Sequence, residues 1–343
     1  MEINTSFILA VLVVIVALAF DFVNGFHDAA NSIATIVATR VLTPFKAVLW
    51  AAFFNFSAVF VFNTGVAKMV GSGMISLNSV TPVVILAGLI GAIAWGLVTW
   101  WFKIPTSSSH ALLGGYAGAA MTYSALHHGM RSFLDPIISS GWSQTILFIV
   151  LAPILGLALG HLLMRLTIVL FYKVRANKVD GVFRYCQLAS SAFLSLMHGS
   201  NDAQKTAGII SGALFTAGYF QHFTVPIWVL WLSYGTMGLG TFFGGWRIVH
   251  TMGRRLTRLR PSSGFCAETA AALSILLATE LLLPVSTTQT TTGAILGVGS
   301  IQRLKAVRWG VARNIAWAWI MTIPAAAVIG SLVMLVAVKI DPS

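Results

Sequence analysis

What most constrains this chain is a succession of apolar runs, each long enough to cross a bilayer, parted by short polar loops. About eighteen or more consecutive apolar residues mark a transmembrane helix, and such runs recur from Phe7 to Val338. With 57% hydrophobic and 9% charged residues among 343, too little polar surface is available to cover a water-soluble globule. The expected fold class is an all-α polytopic membrane protein with about ten to twelve transmembrane segments. Glu2 precedes the first run where a signal peptide would have a basic stretch, and no small-residue cleavage site follows Phe20. That run is therefore read as a retained span.

A net charge of +12 would also suit a nucleic-acid binder, but the positions of the bases argue against one. If the loops alternate, sixteen of the 21 Lys and Arg fall on one side: Arg40, Lys46, Lys103, four from Lys173 to Arg184, five from Arg247 to Arg260 and four from Arg303 to Arg313. Lys68, Arg131 and Lys339 fall on the other, and Arg165 and Lys205 lie within runs. This is the positive-inside asymmetry. It predicts a multi-pass protein of the cell inner (plasma) membrane, surrounded by lipid bilayer, with both termini outside the cytoplasm and no nucleic-acid partner. Cys186 and Cys266 have no metal-ligand spacing, so neither a disulfide framework nor a zinc site is expected.

Two apolar runs each contain a carboxylate in nearly the same setting, Asn24-Gly25-Phe26-His27-Asp28-Ala29-Ala30-Asn31 and His198-Gly199-Ser200-Asn201-Asp202-Ala203-Gln204. A carboxylate at membrane depth costs roughly 2.5–3.5 kcal/mol on the lenient insertion scale, so it belongs in a bundle interior or cavity and is functional by default. Both runs exceed a simple span and are expected to be broken helices, interrupted at Asn24-Gly25 and at Gly199. A second duplication pairs Pro105-Thr106-Ser107-Ser108-Ser109-His110 with Pro284-Val285-Ser286-Thr287-Thr288-Gln289, each followed by close-packing glycines that match at the same offset, Gly114 with Gly293 and Gly118 with Gly297. These stretches read as hairpins or half-helices. The halves are placed at 1–172 and 185–343, joined by a cytoplasmic linker at 173–184. Five crossings in each half make the repeats inverted, a pattern that points to a secondary transporter with its substrate between the repeats.

A half-helix that starts inside the membrane offers unpaired N–H groups and the positive end of a dipole, to which Ser107, Ser108, Ser109, Ser286, Thr287 and Thr288 add hydroxyl donors. That is an anion site for an oxyanion such as phosphate or sulfate. Asp28 and Asp202 would repel such an anion, and therefore need protons or cations; with Asn31 and Asn201 they offer hard-oxygen ligands for sodium or a divalent metal. Asp21 lies seven residues before Asp28 on the same helical face and reads either as a water-facing helix-end acid or as a proton-transfer group. Glu268 starts a span, where the helix dipole accounts for it, and Lys205 reads as an ion-pair partner of Asp202. No catalysis is expected, because Ser109 and His110 are adjacent and diverge on a helix.

These motifs resemble the duplicated signatures of the PiT family of inorganic phosphate transporters over nearly the whole chain, and the short loops resemble its short bacterial members, low-affinity phosphate permeases. The resemblance implies symport of inorganic phosphate with a cation, no tightly bound cofactor, and a homodimer. It assigns phosphate binding to Ser107–Ser109 and Ser286–Thr288, and cation or proton coupling to Asp28, Asn31, Asn201 and Asp202, with Asp28 and Asp202 as the metal candidates. Sodium-coupled relatives typically have Asn at His27 and Glu at Asn55, and the usual His of the second hairpin is Gln289 here. Losing that carboxylate and gaining an imidazole, which titrates near neutrality, favours protons over sodium; the pattern resembles the bacterial proton-coupled relatives, which implies carriage of metal-phosphate.

Overall fold

The computed structural model describes residues 5–61, 63–302 and 307–340. Among them are six helices in the first half and six in the second. The first six are α1 (Thr5–Ala38), α2 (Pro44–Ser57), α3 (Gly65–Lys68), α4 (Pro82–Trp101), α5 (Ser108–His128) and α6 (Ser139–Phe171). The second six are α7 (Ala176–Thr216), α8 (Ile227–Phe243), α9 (Trp246–His250), α10 (Pro261–Glu280), α11 (Thr287–Gln302) and α12 (Trp309–Ile340). The described residues contain no strand, only one isolated antiparallel bridge between Ile75 and Ile137.

The same local devices recur in both sets. Proline opens α4 and α10 at the first turn, where its missing N–H has no partner to lose. Short π-helical turns, Met69–Gly73 and Thr251–Arg255, follow α3 and α9. Proline lies inside both α6 (Pro153) and α12 (Pro324). Among the described residues, α1, α4, α6, α10 and α12 are long and apolar enough to cross a membrane, and a sixth span results if the bent pair Pro44–Phe60 and Gly65–Gly73 is one. Large apolar side chains such as Ile15, Val150, Ile154, Val328 and Leu332 face outward on α1, α6 and α12, as a surface solvated by lipid requires.

The structure corrects the expected breaks in the motif helices. Both α1 and α7 run through Asn24-Gly25 and Gly199 as continuous helix. The glycines serve close approach instead: a Cβ on Gly25 would sit less than 3 Å from the Met237 carbonyl of α8, and one on Gly199 equally close to the Asn55 carbonyl of α2. A continuous helix also keeps every backbone group paired where no water is available. The loop expected over 173–184 is likewise mostly helix, since α7 begins at Ala176.

The hairpins turn in matching ways. Beyond α4, Lys103 N–H bonds to Trp100 C=O (3.0 Å) and Ile104 N–H to Thr99 C=O (3.0 Å); beyond α10, Leu282 bonds to Thr279 (3.0 Å) and Leu283 to Ala278 (2.9 Å). These are Schellman closures with a left-handed residue at the turn. Lys103 (φ 62°) and Leu282 (φ 61°) hold that conformation without being glycine, at roughly 1–2 kcal/mol each. The chain then passes through Pro105 or Pro284 and starts α5 or α11. Partners are exchanged between the halves: α5 packs on α12, α11 on α6, α1 on α8 and α7 on α2. Each hairpin helix is thus held by the other half, which brings the starts of α5 and α11 to α1 and α7.

Candidate transport site

The first turns of α5 and α11 meet the middle of α1 and α7 in a closed polar cluster. Ser107 Oγ accepts from the His110 N–H (3.1 Å), and Ser286 Oγ from the Gln289 N–H (3.2 Å). Both serines therefore act as helix caps, which orients the hydroxyls that follow. Ser108 Oγ donates to Asp28 Oδ2 (3.1 Å), and Thr288 Oγ1 to Asp28 Oδ1 (3.3 Å). Thr287 Oγ1 donates to Asp202 Oδ2 (2.9 Å). Each hairpin thus contributes a hydroxyl to Asp28, and the second hairpin also reaches Asp202.

Asn31 Nδ2 donates to Thr288 (2.9 Å) and Thr287 (3.2 Å), while its Oδ1 is buried without a partner among the described residues. Asn201 does something different: it donates to Thr279 Oγ1 (3.1 Å) and the Leu283 carbonyl (3.2 Å) and accepts from the Val285 N–H (3.2 Å). Its amide fastens the second hairpin to α7. His27 Nδ1 lies 2.9 Å from Asp28 Oδ1, with Nε2 3.4 Å from Thr99 Oγ1. Asp28 is 2% exposed and Asp202 0%, so access from either side requires movement. The metal candidates Asp28 and Asp202 are brought together, and His198 joins them: one ligand atom from each lies within 4.8 Å of the others.

The Phosphate transporter family matches residues 24–330 of this chain. The chain belongs to that family. It is 51% identical over 97% of both chains to a probable low-affinity inorganic phosphate transporter of Rhizobium meliloti (strain 1021), and 41% identical to one of Bacillus subtilis (strain 168), covering 95% of this chain and 96% of that one. Its fold matches that of "The sodium-dependent phosphate transporter" with a TM-score of 0.84, at 24% identity, over 97% of this chain and 99% of that one. The family is one of permeases, and the chain is a transporter rather than an enzyme.

Several residues of this transporter lie in or beside the cluster where the sequence alone did not place them. His198, the first residue of the second Asp motif, has Nε2 3.1 Å from Asp202 Oδ2 and Nδ1 3.2 Å from Asn55 Oδ1. His110 and Gln289, at matching places in the two hairpins, face one another at 3.4 Å, and each retains a buried atom without a partner among the described residues, Nε2 and Oε1. Their equal distance from the duplicated prolines is the signal that could have paired them. Asp21 is buried, not a helix-end acid in water; Thr206 and Asn24 lie alongside, and its oxygens have no hydrogen-bond partner among the described residues. Glu268 is corrected too. It lies eight residues into α10, fully buried, accepting from Thr35 (2.6 Å), Gln187 (2.8 Å) and Ser190 (2.5 Å). Side-chain donors from α1 and α7, not the helix dipole, stabilise it.

Proposed function

We propose that this phosphate transporter is a proton-driven symporter that binds phosphate, alone or as a metal complex, between the first turns of α5 and α11. The observation that carries this reading is the convergence of both hairpins on the two carboxylates, Ser108 and Thr288 on Asp28 and Thr287 on Asp202. An oxyanion entering there meets neutral donors, the hydroxyls of both hairpins, so it can be bound and released without an arginine. Asp28 and Asp202 make simultaneous occupation by a cation or proton favourable, because bare carboxylates beside the anion would oppose it. Coupling follows from that mutual charge compensation. The matching order of elements and the exchange of partners between halves support inverted repeats, and the basic loops support termini outside the cytoplasm.

Sodium is the second reading, favoured by the sodium-dependent transporter that shares the fold. Uptake of labelled phosphate and sulfate into proteoliposomes, with proton, sodium and magnesium gradients imposed separately, decides between them. Phosphate accumulation should follow an inward proton gradient and be indifferent to replacement of sodium by choline, at matched concentrations of each phosphate form. Sodium-dependent, proton-independent uptake would overturn proton coupling. His27→Asn is expected to weaken the proton response. Adding Asn55→Glu, which places a carboxylate beside His198, should introduce a response to sodium; a double variant with the wild-type ion profile would remove His27 from the coupling.

Ser108→Ala and Thr287→Ala are each expected to raise the phosphate KM with little change in folded yield. A hydrogen bond to a charged group contributes about 1.5–3 kcal/mol, or roughly ten- to a hundredfold in affinity. Unchanged binding in both variants would make the hydroxyl runs packing elements.

A further inference from the structure

Asp28 and Asp202 occupy corresponding places in the two halves, and the residue one helical turn later is Asn31 in the first and Lys205 in the second. Both reach across to a hairpin of the other half or its neighbour. Asn31 does so with a neutral amide. Lys205, 2% exposed, places its Nζ against three oxygens: Asp202 Oδ1 (2.5 Å), Ser109 Oγ (2.5 Å) and the Val285 carbonyl (2.7 Å). A carboxylate, a hydroxyl and a backbone carbonyl are the hard-oxygen donors that a small metal cation takes. The ammonium has three donors and no more. All three are engaged, so none is left for phosphate unless a bond is given up.

Among the described residues, no ammonium is hydrogen-bonded to Asp28. Around Asp28 lie Ser108, Thr288 and the His27 ring, and Asn31 Oδ1 is buried without a partner among the described residues.

We propose that Lys205 is a tethered cation: its ammonium permanently fills the cation position at Asp202, leaving coupling to an exchangeable cation or proton at Asp28. The inference rests on the reading of Asp28 and Asp202 as the two coupling carboxylates, and it makes Lys205 a residue that sets ion specificity and stoichiometry. A transporter with neutral residues at both positions would need one more exchangeable cation for the same charge balance.

The test uses the purified full-length protein and sodium as the probe, without phosphate. Lys205→Met removes the ammonium and keeps an apolar stem. The variant should bind one sodium equivalent more than wild type in equilibrium binding of radioactive sodium. Its melting temperature should be lower than wild type in choline chloride and rise on transfer to sodium chloride by linkage, while the wild-type shift is smaller. Adding Asp202→Asn should abolish the extra sodium and restore the melting temperature in choline, because neither buried charge remains. A Lys205→Met chain that binds no extra sodium and melts alike in both salts overturns the proposal. So does a chain that binds phosphate at least tenfold more weakly without gaining sodium, which would make Lys205 a phosphate ligand. If Lys205→Met does not survive purification in choline, recovery in sodium or with Asp202→Asn supports the proposal, and failure of both overturns it. Phosphate uptake by the wild type is measured in parallel. Its absence would count against the transport reading alone, since sodium binding is read independently.

Discussion

Asp28→Asn is expected to reduce concentrative phosphate uptake at least a hundredfold while leaving a folded protein in the bilayer. Among the described residues its hydrogen-bond partners are neutral hydroxyls and His27, so an amide of the same shape keeps most of the hydrogen-bonded frame. What it removes is the negative charge that makes entry of a cation or proton favourable beside an oxyanion. An uncompensated charge in the interior costs several kcal/mol, and each 1.4 kcal/mol is tenfold, which places the loss at about a hundredfold or more. Asp202→Asn should also lose coupled uptake, but by another route. It leaves the Lys205 ammonium buried beside an amide, and breaking a buried pair from one side destabilises by about 3–5 kcal/mol. The two variants therefore separate in a thermal melt, Asp28→Asn near wild type and Asp202→Asn well below it. Near-normal accumulation by either variant would remove that carboxylate from the mechanism.

Gly118→Val and Gly297→Val are expected to abolish the folded transporter, with similar severity. A Cβ on Gly118 would sit less than 3 Å from the Ala327 carbonyl of α12, and one on Gly297 equally close to the Leu157 carbonyl of α6. The obstacle in each case is backbone, which no rotamer change relieves, so the helices must separate. Overpacking in a well-packed interior costs typically 1–3 kcal/mol, more where the backbone has to move. Parting α5 from α12, or α11 from α6, also shifts the hydroxyls at the helix starts away from Asp28 and Asp202. Gly235→Ala in α8 is the control, since nothing lies within 4 Å of its added methyl, and alanine is the better helix former. Size-exclusion profiles and melting temperatures of the three variants provide the measurement. Monodisperse protein with unchanged melting for either valine variant would show that the helix faces are not in the tight contact described.

Much of the architecture was legible before any coordinates, because it depends on local pattern. The apolar runs, the duplicated Asp motifs and the hairpins with their glycines at a constant offset each follow from residues near one another in the chain. The breaks assigned to α1 and α7 were a misreading with a definite cause. Glycine inside an apolar helix serves either to interrupt the backbone or to admit another helix, and the sequence near Gly25 and Gly199 is the same in both cases. Only the position of Met237 and Asn55 against them decided for close approach.

The same limit separates what was determined by the sequence from what the fold decided at the site. That Asp28, Asp202, Asn31 and the Ser/Thr runs are the candidates for function follows from the expense of placing polar groups in an apolar setting twice over, a property of the residues and their neighbours. Which of them meet is another matter. Asn31 finds Thr287 and Thr288, Lys205 finds Ser109, Thr35 finds Glu268 and Asn55 finds His198 across separations of 96 to 257 residues. These partners are set by the exchange of helices between halves, and that exchange depends on matching of surfaces remote in the chain. A buried polar side chain must be satisfied somewhere. Its own stretch of sequence states the demand, and only the packed helices determine which atom meets it.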